Sequence, residues 1–352
     1  MATPYLPCVV WMADPTASLA DMIKLVNAML VLAGPYKPTW RRGGCFRTAE
    51  LLIQSKRSTM DSMIGLAVFL ILSRYTTHRI CAMFVPNTTS RPPEGMAIPY
   101  TEQLIFTIAT QIPFVIFFGM GIRNLISRGD PKALFFGIGG VLASAYEPIV
   151  DVMGFCYFPR EGNWVAFEAF GRPIPVFVPA TYGWYVGGMG YWFYTVFQNP
   201  KSTSRDIQML WFRAFAINLI LEYPPIYLGI YYYYGYQPVE VGGFPLWFPA
   251  VHATSPILAA SIVSLMTPYL KGWKNLVIIP TATTAYGFAN AGFGSPVWIA
   301  LSLDLGYHVT YPAAAICALQ IFCGVWIMSL PLAPVPPVKL NGVNGKSKGL
   351  RG

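Results

Sequence analysis

Four carboxyl groups lie inside long apolar runs of this 352-residue sequence, and one of them, Glu102, lies at the outer end of its run, where it can reach the interface. Glu147 and Asp151 are four residues apart, a spacing that puts two side chains on one face of a helix. Glu222 lies in a separate run, just before Pro224-Pro225. A buried carboxyl group favours its neutral form, and a neighbouring carboxyl group strengthens that preference. The other three groups are therefore candidates for general acid catalysis, with Glu147 and Asp151 as acid and proton reservoir and Glu222 as partner or terminal base.

The depth of these side chains predicts that they share one pocket. Counted from the start of their runs, Glu147 and Glu222 both lie roughly 21 Å along a helix. His252 and Trp184 reach a similar level in their own runs. The sequence therefore predicts a polar pocket in one half of a helix bundle.

A structural alternative remains open for the same residues. Glu147 and Asp151 could bridge helices by pairing with Arg213 or Arg79. A single histidine inside a membrane, such as His252, more often forms a hydrogen bond between helices than a catalytic site.

Aromatic residues are dense around the acids. Ring faces stabilise cations, so an aromatic pocket suits a carbocation, and it suits a neutral apolar ligand equally well. An interfacial aromatic belt explains the run 231–234 and Trp247 instead. The residues predicted to line the pocket and bind substrate are Tyr182, Trp184, Tyr185, Trp192 and His252.

The composition of the chain indicates what kind of structural elements must position these residues. Hydrophobic residues make up 55% of the chain and charged residues 11%, with a mean hydropathy of +0.48. Soluble domains carry about 25% charged residues, so an ordinary soluble enzyme and a disordered protein are both excluded. The basic residues form no dense patch with aromatics, so no nucleic-acid partner is expected. The expected partners are the lipid bilayer and a lipophilic small molecule.

An all-α polytopic membrane bundle of about eight transmembrane helices is predicted over 62–331. The first 61 residues, with an interfacial helix at 18–34, precede it, and a disordered basic tail follows over 332–352. A weaker apolar run at 62–85 gives one span. The other seven runs are 98–121, 133–156, 174–197, 208–233, 245–267, 274–292 and 308–331.

The distribution of basic residues predicts the orientation. Eighteen Lys and Arg residues fall in alternate connections and both terminal segments, against three in the intervening loops. The positive-inside rule then places both termini in the cytoplasm. The sequon at Asn87-Thr88-Thr89 falls in a non-cytoplasmic loop, which predicts a glycosylation site there.

Several signatures of membrane enzymes are missing from the sequence. There is no DDxxD or NDxxD motif for magnesium diphosphate, no HxxHH cluster for iron, no GxxxxGK[ST] loop and no GxSxG elbow. The six cysteines form no pair with zinc spacing. We therefore expect neither a metal ion nor an organic cofactor.

Three stretches carry a resemblance to a known family. They are 147–156 (EPIVDVMGFC), 171–175 (GRPIP) and 184–188 (WYVGG). With the eight-span layout, they resemble the fungal integral-membrane terpene cyclases of the ascofuranone and macrophorin type, over residues 95–330. The resemblance implies a metal-independent cyclase of meroterpenoid biosynthesis that closes a farnesyl chain attached to an aromatic or cyclohexenone head. The expected location is the endoplasmic reticulum membrane of a fungus.

Two other functions fit the same residues. One is an epoxide hydrolase or isomerase acting on a polyketide or terpenoid, in which one carboxyl group opens the epoxide and another activates water. The other is a proton-coupled carrier of a lipophilic metabolite that uses the acids as a relay. Hydrolysis adds the mass of water to the product, whereas a carrier yields no product.

Overall fold

The structure is a computed structural model that describes residues 90–330. Most of this part of the chain is helical. Five sequence predictions lie outside the described residues: the segment 1–61, its interfacial helix at 18–34, the span at 62–85, the sequon at Asn87 and the tail at 332–352.

The described helices form seven long segments, each over one of the seven strong apolar runs, although the segment over 274–292 continues as a helix to Ser302. A 3₁₀ turn (Ser144–Tyr146), a π-helical turn (Gly183–Gly188) and Ala253 each join two helices into one segment. The ten α-helices are α1 (Tyr100–Arg128), α2 (Lys132–Ala143), α3 (Glu147–Gly154), α4 (Phe177–Tyr182), α5 (Met189–Phe197), α6 (Ser204–Tyr227), α7 (Trp247–His252), α8 (Thr254–Met266), α9 (Ile278–Ser302) and α10 (Tyr307–Ser329).

Four of the segments are long and apolar enough to cross a membrane. The other three contain more Tyr, Trp, Gly, Thr or charged residues, which lowers their hydropathy. The part of the chain described here is thus a mostly helical membrane bundle. The four segments are Tyr100–Arg128, Lys132–Gly154, Trp247–Tyr269 and Tyr307–Ser329.

Helix α1 turns apolar side chains outward and polar ones inward. Ile116 is 67% exposed, whereas Gln103 is 0% exposed and Thr110 is 2% exposed. Gln103 donates from Nε2 to the carbonyl oxygen of Gly162. A broad apolar outer surface of this kind suits contact with lipid.

Three small antiparallel ribbons lie in the connections between helices. The all-α prediction omits them, because two- to five-residue strands leave no period long enough to read in sequence. Arg160 and Glu168 form an ion pair at 2.7 Å beside one ribbon, and this pair lowers the pKa of Glu168. The pairs are β1 (Cys156–Tyr157) with β4 (Tyr232–Tyr233), β2 (Val165–Ala169) with β3 (Arg172–Pro175), and β5 (Glu240–Val241) with β6 (Phe244–Pro245).

Helix α6 ends earlier than predicted. The predicted span ran to residue 233, but the helix stops at Tyr227 and the chain enters β4. Pro224 and Pro225 lie in its last turn, where two backbone N–H donors are missing, so the helix is weakened there. The early end lets the following residues fold back over the bundle.

Basic residues are unequally divided between the two ends of the bundle. The connections alternate between the ends, because successive segments run in opposite directions. One end is held together by the hydrogen bond from Ser204 Oγ to the carbonyl oxygen of Ser329, and it carries seven basic residues, whereas the ribbon end carries three. The seven are Arg123, Arg128, Lys132, Lys201, Arg205, Lys271 and Lys274, and the three are Arg91, Arg160 and Arg172.

Helix α2 and the π-helical turn approach each other through glycine. A Cβ added to Gly187 would lie 2.4 Å from the carbonyl oxygen of Phe136. One added to Gly140 would lie 2.5 Å from the carbonyl oxygen of Tyr182. Both distances are shorter than any packed Cβ tolerates, so this backbone approach requires glycine.

Replacing Gly187 by alanine should therefore destabilise the bundle. Relieving the contact requires a backbone shift, and overpacking of this kind costs about 1–3 kcal/mol. Thermal unfolding of the detergent-solubilised protein measures the effect. Gly119→Ala in α1 is the matched control, because a Cβ there meets nothing within 4 Å. Equal losses in the two variants would contradict the close-approach argument.

Candidate functional site

A cavity between the helices holds all three predicted acids. Its wall contains Glu147, Asp151, Glu222 and His252 together with tyrosine and phenylalanine rings. We call it the acid cavity, and its lining is drawn mainly from α1, α3, α4, the π-helical turn, α6, α7, α9 and the β1–β4 ribbon.

Helix α3 supplies two of the acids. Glu147 is its first residue and Asp151 lies one turn later, so both side chains reach the same cavity. Asp151 is 1% exposed, and its Oδ2 atom has no hydrogen-bond partner in the described structure. An unpartnered buried oxygen is costly, and it leaves Asp151 free to meet a ligand.

Helix α6 supplies the third acid. Glu222 accepts a hydrogen bond at Oε2 from the hydroxyl group of Tyr231, which also lies 3.4 Å from the Glu222 carbonyl oxygen. Tyr231 follows the end of α6 by four residues and reaches back because the helix has stopped after Pro224-Pro225. The local fold thus pairs this acid with a tyrosine.

Glu147 lies at the end of a second, longer hydrogen-bonded arrangement. Tyr182 donates its hydroxyl proton to Glu147 Oε2, and the hydroxyl groups of Tyr182 and Tyr286 bond to each other. The Tyr286 hydroxyl lies 3.2 Å from His252 Nε2. Residues from α3, α4, α7 and α9 are therefore connected by polar contacts inside the cavity.

No ion pair joins the cavity acids to Lys or Arg in the described part of the chain. The ion pairs found in residues 90–330 are Lys132–Asp130 and Arg160–Glu168. Arg213 is exposed, so the alternative in which it bridges Glu147 and Asp151 is wrong, while Arg79 lies outside the described residues.

Arg172, at the start of β3, is a buried cation, with 9% of its surface exposed. It donates to the Tyr234 hydroxyl at 2.6 Å and lies 6.0 Å from the ring of Tyr157. Its direct contacts are thus with aromatic residues, and it also interacts electrostatically with Asp151 over a distance longer than an ion pair. Within residues 90–330, no group of three or more His, Cys, Asp or Glu side chains could hold a metal ion.

Aromatic rings form the apolar part of the wall. Phe177 packs edge-on against Phe106 at 4.9 Å, and Phe248 packs against Tyr233 at 5.3 Å and against His252 at 4.4 Å. These edge-to-face contacts fix the ring planes. The acids therefore lie in an aromatic enclosure with few other polar groups.

Three of the five predicted substrate-binding residues line the acid cavity, and two do not. Tyr182, Tyr185 and His252 line the acid cavity. Trp184 and Trp192 do not, and this corrects the prediction for both. Trp192 is 39% exposed on the outside of α5, and Trp184 packs beside Tyr185 at 6.1 Å without reaching the lining. The position of Trp184 along its helix predicted that it would lie at the level of the cavity. The rotation of the helix about its own axis turns the side chain away from the lining.

The aromatic-belt interpretation is also wrong for four of the five residues it covered, whereas Tyr232 is half-buried. Tyr231, Tyr233, Tyr234 and Trp247 are each less than 10% exposed. They pack inside, because the chain after α6 folds into β4 instead of continuing outward as a helix.

Sequence reasoning missed several residues of the lining. Asn218 lies four residues before Glu222 in α6, and this shared-face spacing was a usable signal. Tyr286 lies in an apolar run with no motif around it, so nothing local marks it. Cys156 and Tyr231 reach the wall only through the ribbon and the end of α6.

Comparisons with protein-family models, with curated proteins and with solved structures find no match to this chain. The resemblance to fungal cyclases therefore rests on the sequence motifs alone. The chemistry of the acid cavity is the remaining indication of function.

Proposed function

We propose that the protein is an integral-membrane terpene cyclase that closes the prenyl chain of a meroterpenoid or a related terpenoid. The observation that carries this proposal is the set of three acids without a basic partner in one aromatic cavity of an apolar bundle. The sequence resemblance to fungal cyclases points the same way. The substrate class is a lipophilic molecule with an alkene or a terminal epoxide.

The reaction requires an acid, an enclosure and a base. A carboxyl group removed from water and from cations favours its neutral form, which can protonate an alkene or an epoxide. The aromatic wall then stabilises the carbocation by contact with ring faces. We assign Glu147 and Asp151 as acid and proton reservoir, with Glu222 as partner or terminal base.

We also propose a membrane topology and a cellular location, and the topology rests on the distribution of basic residues. We propose eight transmembrane helices, both termini in the cytoplasm and a location in the fungal endoplasmic reticulum. The excess of basic residues at one end of the bundle supports this orientation. The Asn87 sequon is then a glycosylation site on the opposite side of the membrane.

A glycosylation reporter tests the orientation. Fused after Gly352 it should stay unmodified, because the C-terminus is cytoplasmic. Inserted into the connection at 303–306, which follows the end of α9 at Ser302, it should be modified. Gel mobility before and after deglycosylation gives the result. Modification at both positions would contradict the proposed topology.

Product analysis tests the reaction. Microsomes carrying the protein should convert a farnesyl-substituted phenol, or its terminal epoxide, into a cyclic isomer of unchanged mass. Initiation by a protein carboxyl group needs no metal ion, so EDTA should leave the rate unchanged. Loss of activity in EDTA that Mg²⁺ restores would overturn the mechanism.

The same assay separates the alternatives. A product heavier by one water molecule indicates an epoxide hydrolase. Uptake that collapses with the proton gradient, in the absence of product, indicates a carrier.

Substitution of the acids tests their roles. Glu147→Gln and Asp151→Asn keep shape and hydrogen bonding but cannot supply a strong acid. At least one of them should lose about 10²-fold or more in rate, at normal membrane abundance. A purely structural role would lower abundance and thermal stability together with activity.

Glu102→Gln is the matched control, since Glu102 lies in the first turn of α1 and outside the acid cavity. Its rate should stay close to that of the wild type. Near-normal turnover in Glu147→Gln, Asp151→Asn and Glu222→Gln alike would refute the carboxyl-acid mechanism.

A further inference from the structure

The hydrogen bonds between His252 and Glu147 form a continuous chain with a defined direction. A tyrosine hydroxyl group carries one proton. Tyr182 gives its proton to Glu147, so in the bond between the two tyrosines Tyr286 is the donor. Tyr286 must then accept from His252, which places the histidine proton on Nε2 and the lone pair of the neutral ring on Nδ1.

Three of the four members of the chain are shielded from solvent, and Glu147 is half-buried. His252 is 6% exposed, Tyr286 is 1% exposed and Tyr182 is 7% exposed. Phe248 packs edge-on against the imidazole at 4.4 Å, and the rings of Tyr182 and Tyr286 pack edge-on at 4.8 Å. These contacts fix the imidazole and the two tyrosine rings, so a proton can pass along the hydrogen bonds without a change in the backbone.

We propose that this chain returns the proton released at the end of cyclisation to Glu147. His252 is then the terminal base, and Tyr286 and Tyr182 are relay residues. This inference rests on the proposed cyclase function. A cyclase that begins with protonation and ends with deprotonation consumes no net proton, but its buried acid must be reloaded before each turnover.

The proton and electron balance closes within the cavity. Glu147 accepts from Tyr182 at Oε2, so its acidic proton is on Oε1, and it first gives this proton to the substrate alkene or epoxide and becomes a carboxylate. At the end, a C–H bond beside the cationic carbon breaks, its electron pair forms the product C=C bond, and the proton goes to His252 Nδ1. The Nε2 proton moves to Tyr286, the Tyr286 proton to Tyr182, and the Tyr182 proton to Glu147. After product release, rotation of the hydroxyl and carboxyl groups and exchange with a water molecule, which takes the Nδ1 proton and returns one to Nε2, restore the starting direction.

The Glu222 pair is separate from this chain. In the described structure the Tyr231 hydroxyl bonds only to oxygens of Glu222 itself, so it leads no further. Glu222 is therefore assigned to stabilising the positive charge of the intermediate, and the terminal base role passes to His252.

Pre-steady-state kinetics of Tyr286→Phe test the relay. This variant removes one hydroxyl group from the chain and keeps the ring. The purified full chain in detergent is mixed with the terminal epoxide of a farnesyl-substituted phenol, first with enzyme in excess and then with substrate in excess. The first turnover should stay within about twofold of the wild type, while steady-state turnover should fall about 10²-fold, leaving a burst of about one product per enzyme.

Two further variants complete the experiment. Tyr146→Phe is the matched control, because that ring packs against Tyr286 at 6.5 Å but lies outside the hydrogen-bonded chain. The first turnover and the steady-state turnover of this variant should both match those of the wild type. His252→Gln keeps a donor toward Tyr286 but has no basic nitrogen, so its first turnover should itself be slow.

Each outcome decides the inference. Equal slowing of both phases in Tyr286→Phe, or slowing of neither, overturns the relay while the cyclase function stands. If Tyr286→Phe fails to accumulate, a normal first turnover in His252→Gln overturns the assignment and a slow one supports it. If the wild type forms no cyclic product, the proposed function fails and the relay fails with it.

Discussion

Burial of carboxyl groups without cations is the constraint on which the rest of the structure depends. A carboxyl group removed from water needs hydrogen-bond donors, and an unsatisfied one costs about 1–3 kcal/mol or more. For the two half-buried glutamates the donors are tyrosine hydroxyl groups, from Tyr182 to Glu147 and from Tyr231 to Glu222, whereas the Oδ2 atom of the fully buried Asp151 has no donor in the described structure. A lysine or arginine in the same place would hold the carboxylate in its charged form and remove its acidity. Tyrosine satisfies the oxygen and leaves the proton chemistry available.

Two features of the backbone bring the tyrosine donors to their carboxyl groups. Glycines at Gly140 and Gly187 let α2 and the π-helical turn come close enough to set Tyr182 beside the start of α3. A π-helical turn shifts the register of the side chains after it, and such turns often accompany functional sites. Pro224 and Pro225 mark the last turn of α6, so Tyr231 can return to Glu222 nine residues earlier. Small residues and helix breakers thus position the donors.

Sequence reasoning succeeded where the information is local. The spacing of Glu147 and Asp151 predicted a shared face, and the structure places both on the wall of one cavity. Depth along the helices placed Glu222 and His252 at a similar level, and both line that cavity. The same depth rule misplaced Trp184, because depth along a helix says nothing about its rotation. The belt interpretation of the tyrosines after α6 was wrong because it assumed that the helix continued past the prolines.

The sequence by itself determined the solvent in which this chain folds and the type of element it forms, since both depend on composition and local spacing. It also indicated that three carboxyl groups would lie inside the apolar bundle, where all three line the acid cavity. Only the tertiary structure decided which donors reach them. Tyr182 and Tyr286 meet across 104 positions of sequence, and His252 and Tyr286 across 34. Such contacts depend on how each helix is rotated against its neighbours, which is set by side-chain packing over the whole bundle and by no local pattern.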